Sequence, residues 1–196
     1  MKKRLVLLAV ALCLALTVFG ACENYASALQ DITQLLRVDY SEVSLNVTTV
    51  TNGVTMTGIY TLTFDGDATI VEYSYDRFNE LNTDGNNAGE YFSKVTGVAT
   101  VVDGKVVEGD SSVTLPQEID FGGLSFKPAF FARGAVNGTS FGADVVNPRG
   151  FTGNIDMVCT DMRVTVIYTP TALSKITITY TSDAGSNVSI TYLFTK

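Results

Sequence analysis

The sequence predicts a mainly β protein, an antiparallel sheet built as a meander behind one N-terminal helix. Three observations predict it. Asn52-Gly53, Asp65-Gly66 and Asp103-Gly104 each separate two β-rich runs, and Asx-Gly supplies the positive φ that a two-residue hairpin turn needs. Within the runs, apolar and polar residues alternate with a period of two, the signature of a strand buried on one face. No helical periodicity separates the runs, so the crossovers that a parallel sheet requires have no candidates.

Residues 1–21 read as an export signal. Lys2, Lys3 and Arg4 form a basic start, and Leu5 to Thr17 is an uncharged apolar run, too short to read as a membrane span and suited to a signal. The run closes on Val18-Phe19-Gly20-Ala21-Cys22. This ending resembles a bacterial lipobox, with Phe19 where leucine is usual. The resemblance implies that Cys22 is diacylated and becomes the first residue of the mature chain, and two acyl chains suffice for stable membrane attachment. The remaining residues, 22–196, are expected to form one β-rich domain.

A short amphipathic helix opens that domain. Tyr25, Ala28, Leu29, Ile32, Leu35 and Leu36 recur at steps of three and four, and Asn24 is expected to cap it. The first turn joins Val43–Thr51 to Val54–Phe64, the second joins that strand to Ala68–Tyr75, and the third joins Lys94–Val102 to Lys105–Glu108. From Val54 to Phe64 the even positions are Val, Met, Gly, Tyr, Leu and Phe, while the odd ones are Thr except Ile59. Val164, Val166 and Tyr168 share a face, as do Ile176, Ile178 and Tyr180, and Val188, Ile190, Tyr192 and Phe194. Thr lines most of the opposite positions, which predicts one wet face. Asp183 to Asn187 reads as the last hairpin loop. Asn79 to Gly89, rich in Asn, Asp and Gly, reads as an exposed loop.

Ile119 to Phe151 breaks the alternation. It holds Phe121, Phe126, Phe130, Phe131, Phe141 and Phe151, six of the eleven Phe in the chain, interspersed with glycines. The expectation is a Phe-rich flap over the apolar sheet face, with a short helix at Ala129–Val136 after Pro128.

Composition excludes several function classes. The chain has no His, which removes a Ser–His–Asp triad, a Cys–His pair and His-ligated zinc. There is no phosphate loop and no dinucleotide-binding fingerprint. Without Lys2, Lys3 and Arg4, 10 Lys and Arg face 20 Asp and Glu, a net charge of −10. Such a domain is a poor partner for nucleic acid and is repelled by anionic headgroups, which leaves the acyl anchor as the cause of membrane attachment. With Cys13 in the signal and Cys22 acylated, Cys159 has no intrachain partner and reads as a buried thiol. Asp65 with Asp67, and Asp156 with Asp161, are the carboxylate pairs available for acid–base work, and turn formation explains them more simply. Asn82 to Asn87 is rich in oxygen ligands but misses the EF-hand spacing. No metal and no cofactor is expected.

The order of these elements, from the lipobox through the helix, meander and Phe-rich connection to three terminal strands ending Ser-Asp-Ala-Gly-Ser-Asn-Val-Ser-Ile-Thr-Tyr, resembles the LolA-like half-barrel superfamily of lipoprotein and lipid carriers. The resemblance implies a curved, open sheet whose concave apolar face holds acyl chains, and it brings no catalytic residues. The chain has no Trp, so the Trp often found at the mouth of those carriers has no counterpart. The expectation is therefore a non-enzymatic, membrane-anchored envelope lipoprotein that binds a lipid or other apolar ligand, with no protein partner identified. Met56, Tyr60, Leu62, Phe121, Phe126, Phe130, Phe131 and Phe141 are the expected ligand-binding residues. The rivals are a structural or adhesive lipoprotein built as a filled β-sandwich, and an envelope hydrolase using carboxylates.

Metabolic labelling with a palmitate analogue tests the anchor. The wild-type chain is expected to take up label and Cys22→Ala is expected to take up none; an unlabelled wild type would remove the anchor from the account.

Overall fold

A computed structural model describes residues 24–78, 92–103, 105–110 and 115–196. The signal, Cys22 and the Asn79–Gly89 loop lie outside the described residues. Helix α1 spans 24–35. Ten strands follow: β1 (Glu42–Thr51), β2 (Val54–Asp65), β3 (Ala68–Phe78), β4 (Phe92–Val102), β5 (Lys105–Glu108), β6 (Phe131–Asn137), β7 (Ser140–Val145), β8 (Cys159–Tyr168), β9 (Leu173–Ser182) and β10 (Asn187–Thr195). A short helix, α2 (Pro148–Thr152), sits between β7 and β8. All ten strands form one antiparallel sheet in the order β5-β4-β3-β2-β1-β10-β9-β8-β7-β6. Each half is a meander, and β1 and β10 zip the halves together. This is the expected open sheet, and no second sheet packs against it among the described residues.

Two of the three predicted turns fall where the sequence places them. Asn52 and Gly53 both have positive φ, 52° and 80°, between the paired Thr51 and Val54, as a type I′ turn requires. Asp103, at φ 49°, starts the two-residue link between the paired Val102 and Lys105. The Asp65-Gly66 turn is displaced by one residue. Asp65 pairs with Ala68, so the loop is Gly66-Asp67. Only Gly66 has positive φ there, the first central position at which a type II′ turn takes glycine.

The sheet is curved. Strands in a flat sheet lie about 4.8 Å apart, which would put β5 and β8 roughly 34 Å from each other across seven steps. Yet Val106 of β5, Val101 of β4, Met162 of β8 and Ile178 of β9 all border one cavity. On the inner face the register joins Tyr73, Tyr60, Leu45, Tyr192, Ile176, Val166 and Phe141 side by side across seven strands, and all seven are buried. The outer face is Thr-rich and wet, with Ile59, Val98, Ile167 and Leu193 exposed.

Helix α1 covers part of the inner face. Ala28, Leu29, Ile32 and Leu35 are buried, and Tyr25 lies 5.8 Å from the Phe141 ring. The Tyr40 hydroxyl donates to the Leu35 carbonyl at 2.8 Å and accepts the Leu173 N–H at 2.9 Å, tying the helix end to β9. Asn24 is itself helical, so it is not the expected cap.

The predicted helix at Ala129–Val136 does not form. Pro128–Phe130 makes one 3-10 turn, and Phe131–Asn137 is then strand β6. Gly134 is a poor helix residue, and Asn137-Gly138 opens a hairpin that pairs Phe131 with Val145 and Val136 with Phe141. Phe131–Asn137 and Ser140–Val145 of the predicted flap are therefore sheet. What covers the face is 115–130, with 3-10 turns at Gln117–Ile119 and Phe121–Gly123, together with α2 and the 153–158 loop.

Phe126, Phe131, Phe141 and Phe151 form a packed aromatic cluster with ring centroids 5.3–6.3 Å apart. Phe141 has no exposed surface. Phe141→Ala is expected to destabilise the domain by about 3–5 kcal/mol in urea unfolding, while Ile59→Ala on the wet face should change stability by roughly 0.5 kcal/mol or less. Comparable losses at both positions would contradict the assignment of inner and outer faces.

Candidate functional site

The inner face is filled at the β6–β7 edge and around the tyrosines of β2 and β3. At the β6–β7 end the Phe cluster closes the space. At the β2–β4 end tyrosines lie over glycines. Tyr73 pairs with Gly97 and Tyr75 with Gly58, and a Cβ on Gly97 would collide with the Tyr73 ring while one on Gly58 would come within 3.0 Å of Tyr60. Glycine here leaves room for an aromatic ring to lie along the sheet. Tyr60 stacks on Tyr75 with centroids 6.4 Å apart, and Tyr73 lies 6.0 Å from Tyr75.

Where the curl of the sheet brings β4 and β5 towards β8, β9 and β10 there is a cleft of about 790 Å³. Its floor is apolar: Val101, Met162, Ile178, Ile190 and Tyr192 from four strands, with Leu124 from the covering segment. Its walls are the two covering stretches, Leu115–Asp120 with Gly123, and Thr152–Met157. The Tyr192 hydroxyl donates to the Glu118 carbonyl at 2.9 Å, which pins the Gln117–Ile119 turn over the floor. On the other wall, Arg149 donates from Nε to the Met157 carbonyl at 3.1 Å, and the Asp156 N–H donates to Asn154 Oδ1 at 2.9 Å.

The rim is acidic. Glu118, Asp120 and Asp156 border the cleft, and no Lys or Arg among the described residues does. No ion pair engages these three carboxylates among the described residues. The field of Glu118 reaches the floor. Burial is the main cause that pushes the Tyr180 hydroxyl up to about 12, with Glu118 and then Cys159 adding to it. Tyr192 is raised further, by burial first and then by Glu118 and Asp120. Tyr60, buried beside Tyr75 and also under Glu118, is pushed up to about 12. In each case the neutral phenol is the favoured form.

None of the eight expected ligand-binding residues borders the cleft. Phe126, Phe131 and Phe141 belong to the closed aromatic cluster. Phe130 is half-buried at its edge, with the Lys127 ammonium 5.8 Å from its ring centroid. Phe121 packs on Phe64, Tyr192 and Phe194 at 6.1, 6.4 and 5.3 Å. Tyr60 and Leu62 are buried in β2, and Met56 is half-buried near its start. Large aromatic side chains fill the space that they bound. The opening lies where the covering segments carry Glu, Asp, Asn and Gly instead, and the clustering of polar residues at 117–120 and 153–156 was the available signal.

Of the candidate carboxylate pairs, Asp65 ends β2 and Asp67 lies in the exposed turn after it. Asp156 stands on the cleft rim, whereas Asp161 borders a separate, shallower depression beside Thr48 and Asn187. Cys159 is a half-buried free thiol pushed up by burial, which leaves it poorly nucleophilic at neutral pH. No family model matches this chain, and no curated protein matches its sequence.

The tyrosines give a pH test. A group whose folded pKa exceeds its unfolded value near 10 favours the folded state below that pH, and the benefit disappears as pH rises through the folded value. Thermal melts are therefore expected to be insensitive to these tyrosines up to pH 10 and to fall between pH 10 and about 12. Tyr180→Phe should make that decline shallower. An identical decline in the variant would contradict the burial of the Tyr180 hydroxyl.

Proposed function

We propose that this chain is a non-enzymatic, membrane-anchored envelope lipoprotein whose cleft takes up the apolar chain of a lipid or similar amphiphile. The observation that carries the reading is the 790 Å³ cleft with an apolar floor, left open in a face that is otherwise packed. Its volume falls within the range of about 300–1,000 Å³ usual for small-molecule sites. An open, curved antiparallel sheet with its apolar side inward is also what the LolA-like resemblance implies. The lipobox-like ending at Cys22 supports the anchor. With few residues between Cys22 and α1, an acylated chain would hold the cleft close to the bilayer from which a lipid would come.

Hydrophobic transfer is the driving force. Each buried methylene contributes about 0.8 kcal/mol, so a ten-carbon chain can offset the cost of association and of ordering the covering segments. The walls supply hydrogen-bond groups for a head, among them Gln117, Glu118, Asn154 and Asp156.

Decanol, a neutral probe, tests the reading. At one hundred times its dissociation constant it is expected to stabilise the domain by about 2.7 kcal/mol and raise the melting temperature by roughly 5–10 °C. Ile190→Trp, which fills the floor, should abolish the shift. Val106→Trp, at a half-buried wall position, provides the same test should Ile190→Trp not fold. A wild-type melt indifferent to decanol would favour a structural lipoprotein without a ligand.

A further inference from the structure

We infer that the cleft selects by charge, accepting a single-chain amphiphile whose head carries a positively charged nitrogen and rejecting carboxylate and phosphate heads. The inference rests on the cleft being a ligand site and adds the chemical class of the ligand. Three features of the cleft support it. The floor is apolar and closed by strands, so the chain must lie there and the head must meet the walls. The ionisable acids on those walls are Glu118, Asp120 and Asp156, on two segments that both border the opening. No cationic side chain among the described residues borders the space.

The cations nearby are already engaged or turned away. Arg149 is tied by its Nε to the Met157 carbonyl and does not itself border the cleft. Lys105 precedes Val106 on β5, and neighbouring strand residues point to opposite faces, so Lys105 turns away from the cleft that Val106 borders. Glu118 is half-buried and borders the cleft, its backbone carbonyl is held by the Tyr192 hydroxyl on the floor, and its charge adds to the upward shift of Tyr60, Tyr180 and Tyr192.

An anionic head would lose hydration and meet three like charges in a partly enclosed space, where the local dielectric is lower than that of water. An ammonium head meets the same charges favourably. Because each rim contact is partly exposed, a single pair contributes little, and discrimination comes from the three acting together. The tyrosine hydroxyls remain neutral and do not reverse the sign.

The experiment measures displacement of N-phenyl-1-naphthylamine, a neutral fluorophore, from the full domain by decylamine, decanol and decanoate at low salt and pH 7. Decylamine is expected to bind at least tenfold more tightly than decanoate (about 1.4 kcal/mol), with decanol between them. The triple variant Glu118→Gln, Asp120→Asn, Asp156→Asn should bring the three affinities within about threefold and leave decanol unchanged. A control variant, Asp31→Asn, Glu72→Gln, Asp39→Asn, removes the same number of charges from exposed sites that do not border the cleft, and should keep the preference. Equal binding of decylamine and decanoate to the wild type, or a preference that survives the rim variant or is lost in the control, overturns the inference while decanol binding leaves the ligand site standing. Failure of decanol to displace the fluorophore overturns both.

Discussion

The structure depends on register. One row of inner-face residues runs from Tyr73 on β3 to Phe141 on β7, each the partner of the next across seven strands. A slip of one residue in any pair would turn a whole strand's apolar set outward. The β1–β10 pair is the critical joint, because it links two meanders that are otherwise separate in the chain. It runs for nine residue pairs, from Glu42–Thr195 to Val50–Asn187. Curvature follows from the same row. A single sheet with one apolar face must be covered or curl over its own side chains, and here it does both.

The cleft is a consequence of how that covering is divided. Aromatic residues close the β6–β7 end by packing on one another, and tyrosines close the β2–β4 end by lying over Gly58 and Gly97. The segments 115–124 and 152–157 border the opening and mix apolar residues such as Leu115, Ile119 and Met157 with Glu118, Asp120, Asn154, Asp156 and glycines. Tyr192 links floor and cover through its bond to the Glu118 carbonyl. The same bond holds the backbone of Glu118, an acid that borders the cleft.

The hairpins were legible because their determinants are local. Asn52-Gly53 and Asp103-Gly104 specify backbone angles that few other residues adopt. The alternation Val164-Val166-Tyr168 and Ile176-Ile178-Tyr180 likewise declares its buried face within a few residues. Asp65-Gly66 misled by one position, because glycine can serve the first central site as readily as the second. Asn137-Gly138 was the same kind of signal and was obscured by the surrounding Phe residues, which read as a flap. The cleft was not legible. Its floor combines Val101 with Ile178, residues far apart in the chain and on strands that only the curvature of the sheet brings together. Phe clustering pointed to the apolar face but not to the gap in it, since the residues that fill a space are not those that border an empty one.

The central claim is that the gap holds an apolar molecule in the protein's own setting. Native mass spectrometry of the full chain, expressed in its own host and purified in a gentle detergent, measures this most directly. The account predicts a discrete added mass on the wild-type protein, beyond any acylation of Cys22, that is absent from Ile190→Trp. A wild type and an Ile190→Trp variant that both carry only the mass of their own polypeptide and anchor would contradict it.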